Sequence, residues 1–426
     1  MPTALGYVHT TLGTVTSNGT DTFAEVVESA SLKASNDYYI ICHAIIEGSD
    51  SNELFEWRLI DRTNGDAVLQ DSTMIKEPAQ GTVTESYNYV GKVTTGTDGG
   101  GIEFQQRTQN TDETAKTRFV SMLLIDGSYL DAGDYVYKED TRNVTLNNLA
   151  QQSLVQTDAT TYTVGDKWAI FGCVGLEVDG TGHNSEIRMN IESDSASVAT
   201  TPFMSFEGED TSEYALWAMM RPYTIAHEDT IFELEGKQDS ASGTANQKTY
   251  GSIFALNLSN FEDSYSSYSD TDTTTTSTGW QELDTTNFSP TTSGDVLVFG
   301  CAIADLDSTN RKSYARLQLD GTTSPNTQPD SYYGCNTRDS SSELPLLYLT
   351  SYSSTAGSAV QIDFDVKKES SADYGWDDYS LVAFSTWKVD EAPINYSAVA
   401  VSTYTSGSVA GSTYNSGSVA SEVNPQ

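Results

Sequence analysis

The sequence is poor in basic residues. It has 22 lysines and arginines against 60 aspartates and glutamates, which gives a formal net charge of −38 at pH 7. A surface of this sign repels the phosphates of nucleic acids and the headgroups of anionic membranes. Nucleic acids and membranes are therefore not expected as partners. Such acidity suits a soluble surface in salty water, where screening shortens charge repulsion to about 10 Å or less.

Long apolar stretches and targeting signals are also missing. No run approaches the roughly 18 apolar residues that a membrane-spanning helix requires. The N-terminal stretch MPTALGYVHTTLGTVTSNG contains neither the basic nor the apolar segment of a secretory signal. The sequence therefore predicts neither a membrane-spanning helix nor export through such a signal.

Residues that commonly carry catalysis are few. The chain has four histidines and four cysteines, without the His-x-x-x-His or Cys-x-x-Cys spacing of a zinc site. A Gly-x-Ser-x-Gly elbow and a phosphate-binding loop are absent as well. Cys42 and His43 are adjacent, but neighbouring strand residues point to opposite faces, so they are not expected to act as nucleophile and base. The sequence predicts no enzyme activity, no catalytic residue and no cofactor.

Acidic turns leave calcium as the one possible ion. Such turns follow three corresponding strands: EGSDSNE (47–53), EVDGTGHNSE (177–186) and ADLDSTN (304–310). Clustered side-chain and backbone oxygens in a turn can hold Ca²⁺, although none of the three has the twelve-residue EF-hand pattern. A polar turn between strands is the alternative interpretation.

One pattern occurs three times along the chain. The apolar stretches YYIICHAIIEG, WAIFGCVGLE and VLVFGCAIAD contain Cys42, Cys173 and Cys301, and an arginine follows each cysteine after 15 or 16 residues: Arg58, Arg188 and Arg316. An aromatic-rich segment, an alternating segment and a final apolar segment come next in each copy, in the same order. A period near 128 residues is too long for a solenoid repeat and indicates tandem domains.

The fold class follows from the segments within each copy. Apolar and polar residues alternate with period two, turns contain Gly, Asp, Asn and Ser, and no stretch has a helical period. The sequence therefore predicts an all-β protein with three tandem β-sandwich domains, of jelly-roll type rather than the immunoglobulin type. The predicted boundaries are 10–140, 145–262 and 280–389 for the domains, 263–279 for a linker or exposed loop, and 390–426 for a low-complexity C-terminal arm.

The recurring residues are interpreted as structural markers. Phe171 and Cys173 share one face of their strand, so the three cysteines are predicted to be free thiols facing the interior of each sandwich. The fourth cysteine, Cys335, has no obvious partner. The three arginines are predicted to form ion pairs or to pack on a strand face.

Tyrosines are the candidate contact residues. The chain has 24 of them, and tyrosine offers a large contact area at low entropy cost. Tyr-rich segments at 264–270 and 330–334 are read as loops, and the arm carries STYTSGSVA (402–410) and STYNSGSVA (412–420), which could add as strands to a neighbouring subunit. The possible ligand or partner contacts are Tyr265, Tyr268, Tyr332, Tyr333, Tyr404 and Tyr414.

Taken together, the repeated FGC strand, the STY-x-SGSVA tail, the three diverged sandwiches and the strong acidity resemble an accessory virion structural protein of a tailed phage from salt water. This resemblance implies a non-enzymatic capsid-decorating or appendage protein that is assembled in the host cytoplasm and found in the virion. It also implies other virion proteins as partners and a homo-oligomer, with a trimer favoured. The alternatives are a receptor- or glycan-binding fibre or adhesin module, and an extracellular surface or filament subunit.

Overall fold

A computed structural model describes most of residues 4–389. The contacts divide the chain into Met1–Val389 and Asp390–Gln426, and all described residues belong to the first unit. The described ranges are 4–12, 16–48, 54–75, 83–109, 114–146, 150–158, 160–177, 184–193, 196–201, 203–207, 214–238, 246–271, 273–275, 278–306, 313–324, 343–368 and 374–389.

Strands make up nearly all of the regular structure in these ranges. Repeat 1 contains β1 (Tyr7–Leu12), β2 (Thr16–Asn18), β3 (Ala24–Glu28), β4 (Asp37–Gly48), β5 (Leu54–Asp61), β6 (Ala67–Ile75), β7 (Val83–Thr94), β8 (Ile102–Thr108) and β9 (Ala115–Asp126). Repeat 2 contains β10 (Tyr135–Asp140), β11 (Val144–Leu146), β12 (Gln152–Gln156), β13 (Lys167–Glu177), β14 (Asn184–Ser193), β15 (Ala196–Thr200), β16 (Met204–Glu207), β17 (Tyr214–Thr224), β18 (Ile231–Gln238) and β19 (Asn246–Asn257). Repeat 3 contains β20 (Ser264–Ser269), β21 (Thr273–Thr275), β22 (Gln281–Phe288), β23 (Gly294–Leu306), β24 (Ser313–Leu319), β25 (Thr322–Ser324), β26 (Glu343–Ser354), β27 (Val360–Lys368) and β28 (Tyr374–Ser385).

Helical structure in the described residues is limited to three single turns of 3-10 helix, which follow β5, β9 and β19: Arg62–Asn64, Gly127–Tyr129 and Leu258–Asn260. Among these residues, no helix has the length and apolar character needed to span a membrane.

Each repeat is a sandwich of two antiparallel sheets. The sheet that contains the cysteine strand is called the central sheet here, and the one that contains the arginine strand is called the outer sheet. The central sheets have the orders β1-β9-β4-β7, β10-β19-β13-β17 and β20-β28-β23-β26. The outer sheets have the orders β3-β8-β5-β6, β12-β18-β14-β15 and β22-β27-β24-β25. The first of these continues through pairing of β6 with β17 into the central sheet of repeat 2, so that the two form one nine-stranded sheet. This strand order is that of a jelly roll, and the predicted all-β sandwich class is confirmed.

The two kinds of sheet differ in burial. In β5 of the first outer sheet, Phe55, Trp57 and Leu59 are buried while the intervening residues are half-buried, as expected for a sheet with one face on a core. In β4 of the first central sheet, every residue from Tyr38 to Gly48 is buried. A strand can be buried throughout only when both faces of its sheet are covered. The second face of each central sheet is covered by the other repeats.

The ends of the repeats meet at one place. The backbone N–H of Leu5 donates to the carbonyl of Thr386 at 2.7 Å, and that of Glu262 donates to Trp387 at 2.9 Å. Lys388 forms ion pairs with Asp131 and Asp134 at 2.7 and 2.5 Å. These contacts tie the end of repeat 3 to the start of repeat 1 and to the connection between repeats 1 and 2.

The prediction of a linker or exposed loop over 263–279 is wrong for the segment SYSSYS. Ser264–Ser269 forms β20, the first strand of the third central sheet, paired with β28. Tyr265 and Tyr268 are three residues apart and therefore lie on opposite faces of this strand, and Tyr265 packs against the core. A low-complexity composition thus conceals a paired strand. The remaining predicted domain boundaries stay predictions.

Candidate functional site

The register of the three cysteine strands differs from the sequence-based alignment by one residue. Each strand has an irregularity in its pairing with the last strand of the repeat, after Ile45, Gly175 and Ile303. Counting from these points, the residue equivalent to Cys173 and Cys301 is His43, whereas Cys42 is equivalent to Gly172 and Gly300. The prediction that the three cysteines mark one topological position is therefore wrong.

This offset reverses the direction of the side chain. A Cβ built on Gly172 would lie 2.7 Å from Leu234 of the outer sheet, so this position faces the interior of the sandwich. Cys173 and Cys301 lie on the opposite face and contact the neighbouring repeat instead. A shift of one residue along a strand exchanges its two faces. The sequence-based alignment matched Cys42 with Cys173 and Cys301 and was therefore shifted by one residue. The predicted interior orientation is consequently wrong for Cys173 and Cys301.

Three equivalent serines connect the repeats into a closed cycle. Ser121 of repeat 1 donates to the carbonyl of Leu349 in repeat 3 at 3.0 Å, and Ser380 of repeat 3 donates to the carbonyl of Met220 in repeat 2 at 3.1 Å. Ser252 of repeat 2 donates to the carbonyl of Val90 in repeat 1. Ser121, Ser380 and Ser252 pair within their sheets with His43, Cys301 and Cys173, respectively. The acceptors Leu349, Met220 and Val90 pair with Phe299, Phe171 and Ile41, respectively. The contacts therefore repeat with pseudo-three-fold symmetry, and the arrangement is called the repeat ring below.

Aromatic side chains fill the middle of the repeat ring. Phe171 of repeat 2 lies edge-on to Phe299 of repeat 3, with centroids 5.0 Å apart. Tyr39 of repeat 1 stacks on Phe254 of repeat 2 at 4.8 Å, and Phe254 is 6.4 Å from Phe171. Such pairs stabilise by about 0.5–1.5 kcal/mol beyond the burial of their area. The three central sheets thus share one aromatic core.

The thiols are packed into these contacts. The Cys173 thiol donates to the carbonyl of Asn88 at 3.6 Å, and the Cys301 sulfur accepts from the backbone N–H of Met220 at 3.4 Å. Cys42, Cys173 and Cys301 are free and buried, as predicted. Burial raises the pKa of Cys173 and Cys301 to about 12 and also raises the pKa of Cys42. The thiolate is the reactive form, so these cysteines are chemically inert in the folded chain.

We expect none of the three thiols to react with Ellman's reagent in the native protein within minutes, and all three to react after denaturation. The reaction is followed by absorbance in a Cys335→Ser variant, so that the signal comes from Cys42, Cys173 and Cys301 alone. Rapid labelling of Cys173 or Cys301 without denaturant would show that the faces between the repeats are open to solvent.

Two histidines distinguish the contact between repeats 1 and 3. Nδ1 of His43 donates to the side-chain oxygen of Asn88 at 2.7 Å, and its ring lies 4.9 Å from that of Tyr348 in repeat 3. His9 hydrogen-bonds Ser121 at 2.9 Å and Ser351 of repeat 3 at 2.7 Å. Because the Ser121 hydroxyl donates to Leu349, Nε2 of His9 donates to Ser121 and Nδ1 accepts from Ser351. Burial lowers the pKa of both histidines to about 4.

The predicted arginines carry a contact that recurs on every outer sheet. Each guanidinium lies over an aromatic side chain: Arg58 over Phe23 at 3.6 Å, Arg188 over Phe203 at 4.8 Å, and Arg316 over Trp280 at 4.1 Å. Each also donates to the next strand: Arg58 to Gln105 at 2.8 Å, Arg188 to Glu235 at 2.9 Å, and Arg316 to Asp365 at 2.9 Å. These contacts join each arginine strand to its neighbour in the outer sheet and leave the guanidinium groups engaged.

Of the predicted tyrosines, the structure describes two. The Tyr265 hydroxyl donates to Asp284 at 3.3 Å. Tyr268 donates to Asp378 and lies 3.9 Å below the guanidinium of Arg221. Both are half-buried and engaged within the chain rather than presented on a loop. Tyr332, Tyr333, Tyr404 and Tyr414 lie outside the described residues, as does Cys335.

Carboxylates cluster on the outer sheet of repeat 2. Oxygens of Glu192, Glu233 and Glu235 lie within 4.8 Å of one another, and burial raises the pKa of Glu233. Asn190 donates to Glu192 and Glu233 at 3.1 and 3.2 Å, and Arg188 holds Glu235, so the group is satisfied within the protein. The acidic turns at 47–53, 177–186 and 304–310 lie largely outside the described residues.

No protein-family model and no curated protein matches the sequence. Among solved structures, PNGF-II in its C2 crystal form has a TM-score of 0.28 and 10% identity, over 82% of this chain and 98% of that chain. The subviral particle of infectious bursal disease virus VP2 has a TM-score of 0.25 and 8% identity, over 92% and 86%. The CBM22-1-CBM22-2 tandem domain of Paenibacillus barcinonensis Xyn10C has a TM-score of 0.19 and 8% identity, over 58% and 92%. The structural neighbours thus include viral capsid proteins, at low overall similarity.

The residues that build the repeat ring were missed by sequence reasoning. Ser121, Ser252 and Ser380 are single serines in apolar strands, and His43 was considered only as a base for Cys42. A signal was nevertheless present: YYIICHAII is apolar at successive positions rather than at alternate ones. Such a run indicates a strand that is buried on both faces, which requires a covering element outside its own sandwich.

Proposed function

We propose that this chain is a non-enzymatic structural protein of a virion, which decorates a capsid or forms part of an appendage through protein–protein contacts. The observation that supports this best is the repeat ring, in which one face of every central sheet is used for packing between repeats. The serine, histidine and cysteine side chains of these strands serve that packing. The outer sheets then remain as the faces available to neighbouring proteins.

The pseudo-three-fold arrangement of the repeats suits a position on a three-fold axis of a capsid. Three similar outer sheets surround one axis, and closed rotational symmetry of this kind matches surfaces that are themselves arranged with three-fold symmetry. We propose a position on a local three-fold axis, with one chain at each such axis. The repeat ring then supplies within one chain the contacts that a trimer of single jelly rolls would supply. A homo-oligomer of whole chains, and attachment through the arm 390–426, stay predictions.

The charge of the chain fits a particle surface. At a net charge of −38, identical subunits repel one another wherever specific contacts do not hold them together, and this keeps particles soluble and apart. The proposed location is therefore the virion, after assembly in the host cytoplasm. An extracellular fibre, adhesin or filament subunit remains the alternative.

Quantitative mass spectrometry of density-purified particles tests the proposal. We expect this chain to copurify with a major capsid protein at a fixed ratio through successive gradients, while an abundant soluble host protein is depleted. Many copies per particle would indicate capsid decoration, and a few copies would indicate an appendage. If the chain is absent from particles and is recovered from the cell envelope or the medium, the virion proposal is wrong.

A further inference from the structure

Repeat 2 has a groove at the open edge of its sandwich, between β10 of the central sheet and β12 of the outer sheet. The cavity is about 400 Å³, within the range of roughly 300–1,000 Å³ that is usual for small-molecule sites. Its walls include Lys138, Asp140 and Arg142 on one side and Ser153 and Asp158 on the other.

A buried ion pair supports the wall of this groove. The Lys248 side chain is fully buried and lies 3.2 Å from Asp140, and it donates to the carbonyls of Asp140 and Arg142 at 2.6 and 3.0 Å. By register, the equivalent positions in repeats 1 and 3 are Thr117 and Trp376. Replacing a buried ion pair with apolar groups is often neutral or stabilising. Stability alone therefore does not account for charges at this position in repeat 2.

In repeat 3, hydrogen bonds rather than an ion pair connect the two sheets at the corresponding edge of the sandwich. Ser267 is equivalent by register to Lys138, and both Ser267 and Tyr265 donate to Asp284 across the gap between the two sheets. In repeat 2, the link is an ion pair from Lys138 to Asp158, at 2.9 and 3.0 Å to the two carboxylate oxygens. The Asp158 side chain is 84% exposed. An exposed pair contributes only about 0–1 kcal/mol, so an incoming anion can replace Asp158 at little cost.

The charges in the groove and directly behind it have the opposite sign to the rest of the chain. Lys138, Arg142 and the buried Lys248 stand against Asp140 and Asp158, which leaves a local charge of +1 on a chain of −38. Asp140 is held by both Arg142 and Lys248, and the Arg142 side chain is still 84% exposed. Arginine and lysine bind carboxylates through charge-assisted hydrogen bonds. The local charge therefore favours a ligand with a single negative group.

The other walls suit a sugar. Ser153 and Gln156 offer a hydroxyl and an amide, which can both donate and accept hydrogen bonds with ligand hydroxyl groups, and the half-buried Ile231 provides an apolar surface for C–H groups. We propose that this groove binds a saccharide that carries one carboxylate, with the carboxylate at Lys138 and Arg142 and the hydroxyl groups along β12. This goes beyond the virion role and is tested on the purified chain without particles.

Saturation-transfer NMR on the full chain tests the proposal, with methyl β-D-glucuronide as probe and methyl β-D-glucoside as its neutral analogue. We expect saturable binding of the glucuronide in the millimolar range, with the glucoside at least about tenfold weaker, because the charge-assisted hydrogen bonds are lost. Arg142→Gln is expected to weaken glucuronide binding by about tenfold, since it removes a positively charged hydrogen-bond donor.

Lys167→Gln is the matched control, because it removes one charge from an exposed residue of β13, away from the groove, and it is expected to leave binding unchanged. Equal binding of glucuronide and glucoside would overturn recognition of the carboxylate. Glucuronide binding that Arg142→Gln leaves unchanged would place the site elsewhere. Absence of a signal at tens of millimolar glucuronide, with the chain shown to be folded by circular dichroism, would overturn the site.

Discussion

Replacing Phe171 with alanine is expected to lower the free energy of unfolding of the whole chain by about 3–5 kcal/mol. Phe171 is 1% exposed, although it lies on the face of β13 that points away from its own sandwich. Its burial comes from Phe299 of repeat 3 and from Phe254 of the same sheet. In a chain of three independent sandwiches this side chain would meet solvent, and the same substitution would have a small effect.

Chemical denaturation, monitored by tryptophan fluorescence and circular dichroism, measures the loss of unfolding free energy in Phe171→Ala. Phe232→Ala, inside the sandwich of repeat 2, is the positive control, since it is destabilising whether or not the repeat ring forms. Val198→Ala, at a residue that is 44% exposed, is expected to change the stability by no more than about 0.5 kcal/mol. A loss below about 1 kcal/mol for Phe171→Ala, beside a large loss for Phe232→Ala, would contradict the shared aromatic core.

Acid is expected to weaken the contact between repeats 1 and 3 through His43 and His9. The folded pKa of each is about 4, below the ordinary value of 6.5, so the folded chain favours the neutral imidazole. The stabilisation is complete above pH 6.5 and is lost as the pH falls from 6.5 to about 4, because the unfolded chain binds the proton first. For His43 this loss is about 3 kcal/mol, and the partly exposed His9 adds less.

The pKa of His43 is low because the side chain is buried and the described part of the chain offers no hydrogen-bond acceptor for a proton on the second ring nitrogen. Nε2 of His43 is buried without a hydrogen-bond partner among the described residues, and a buried cation there would have no acceptor. Repeats 1 and 3 are joined by no direct linker, unlike the other two pairs. Acid therefore weakens the repeat ring at the junction that no linker spans.

Urea denaturation at pH 7 and pH 4.5 tests this prediction in the unmodified chain and in His43→Gln. We expect the difference in unfolding free energy between the two pH values to be about 2–3 kcal/mol smaller in the variant. His227→Gln, in an exposed loop, is the matched control and is expected to retain the full pH dependence. An unchanged pH dependence in His43→Gln would show that His43 does not titrate as described.

Sequence patterns predicted the sandwich class because the outer-sheet strands alternate clearly. In FEWRLID the residues Phe55, Trp57 and Leu59 form one buried face, and a period of two is the direct consequence of strand geometry. The burial of the cysteines was predicted for a similar reason, since each lies in a long apolar strand. These local signals depend only on residues within one strand.

The repeat ring was not predicted because its evidence is spread over three repeats. Which face of β13 holds Cys173 depends on a shift of one residue, and that shift is visible only in the pairing between strands. Ser264–Ser269 was taken for a loop because its partner, β28, lies more than 100 residues further along the chain. The groove was missed because nothing local shows that Lys248 is buried. The face of Cys173, the strand at Ser264–Ser269 and the burial of Lys248 all depend on pairing between strands that are far apart in the sequence.

Small-angle X-ray scattering of a chain ending at residue 389 is the most direct test of the repeat ring. For three jelly rolls packed around a common axis, we expect a radius of gyration of about 21–25 Å at pH 7, from the usual size of compact chains of this length. Three sandwiches of the same size in a row, touching only at their linkers, would give about 32 Å. A value near 32 Å would contradict the closed arrangement on which the proposed function rests.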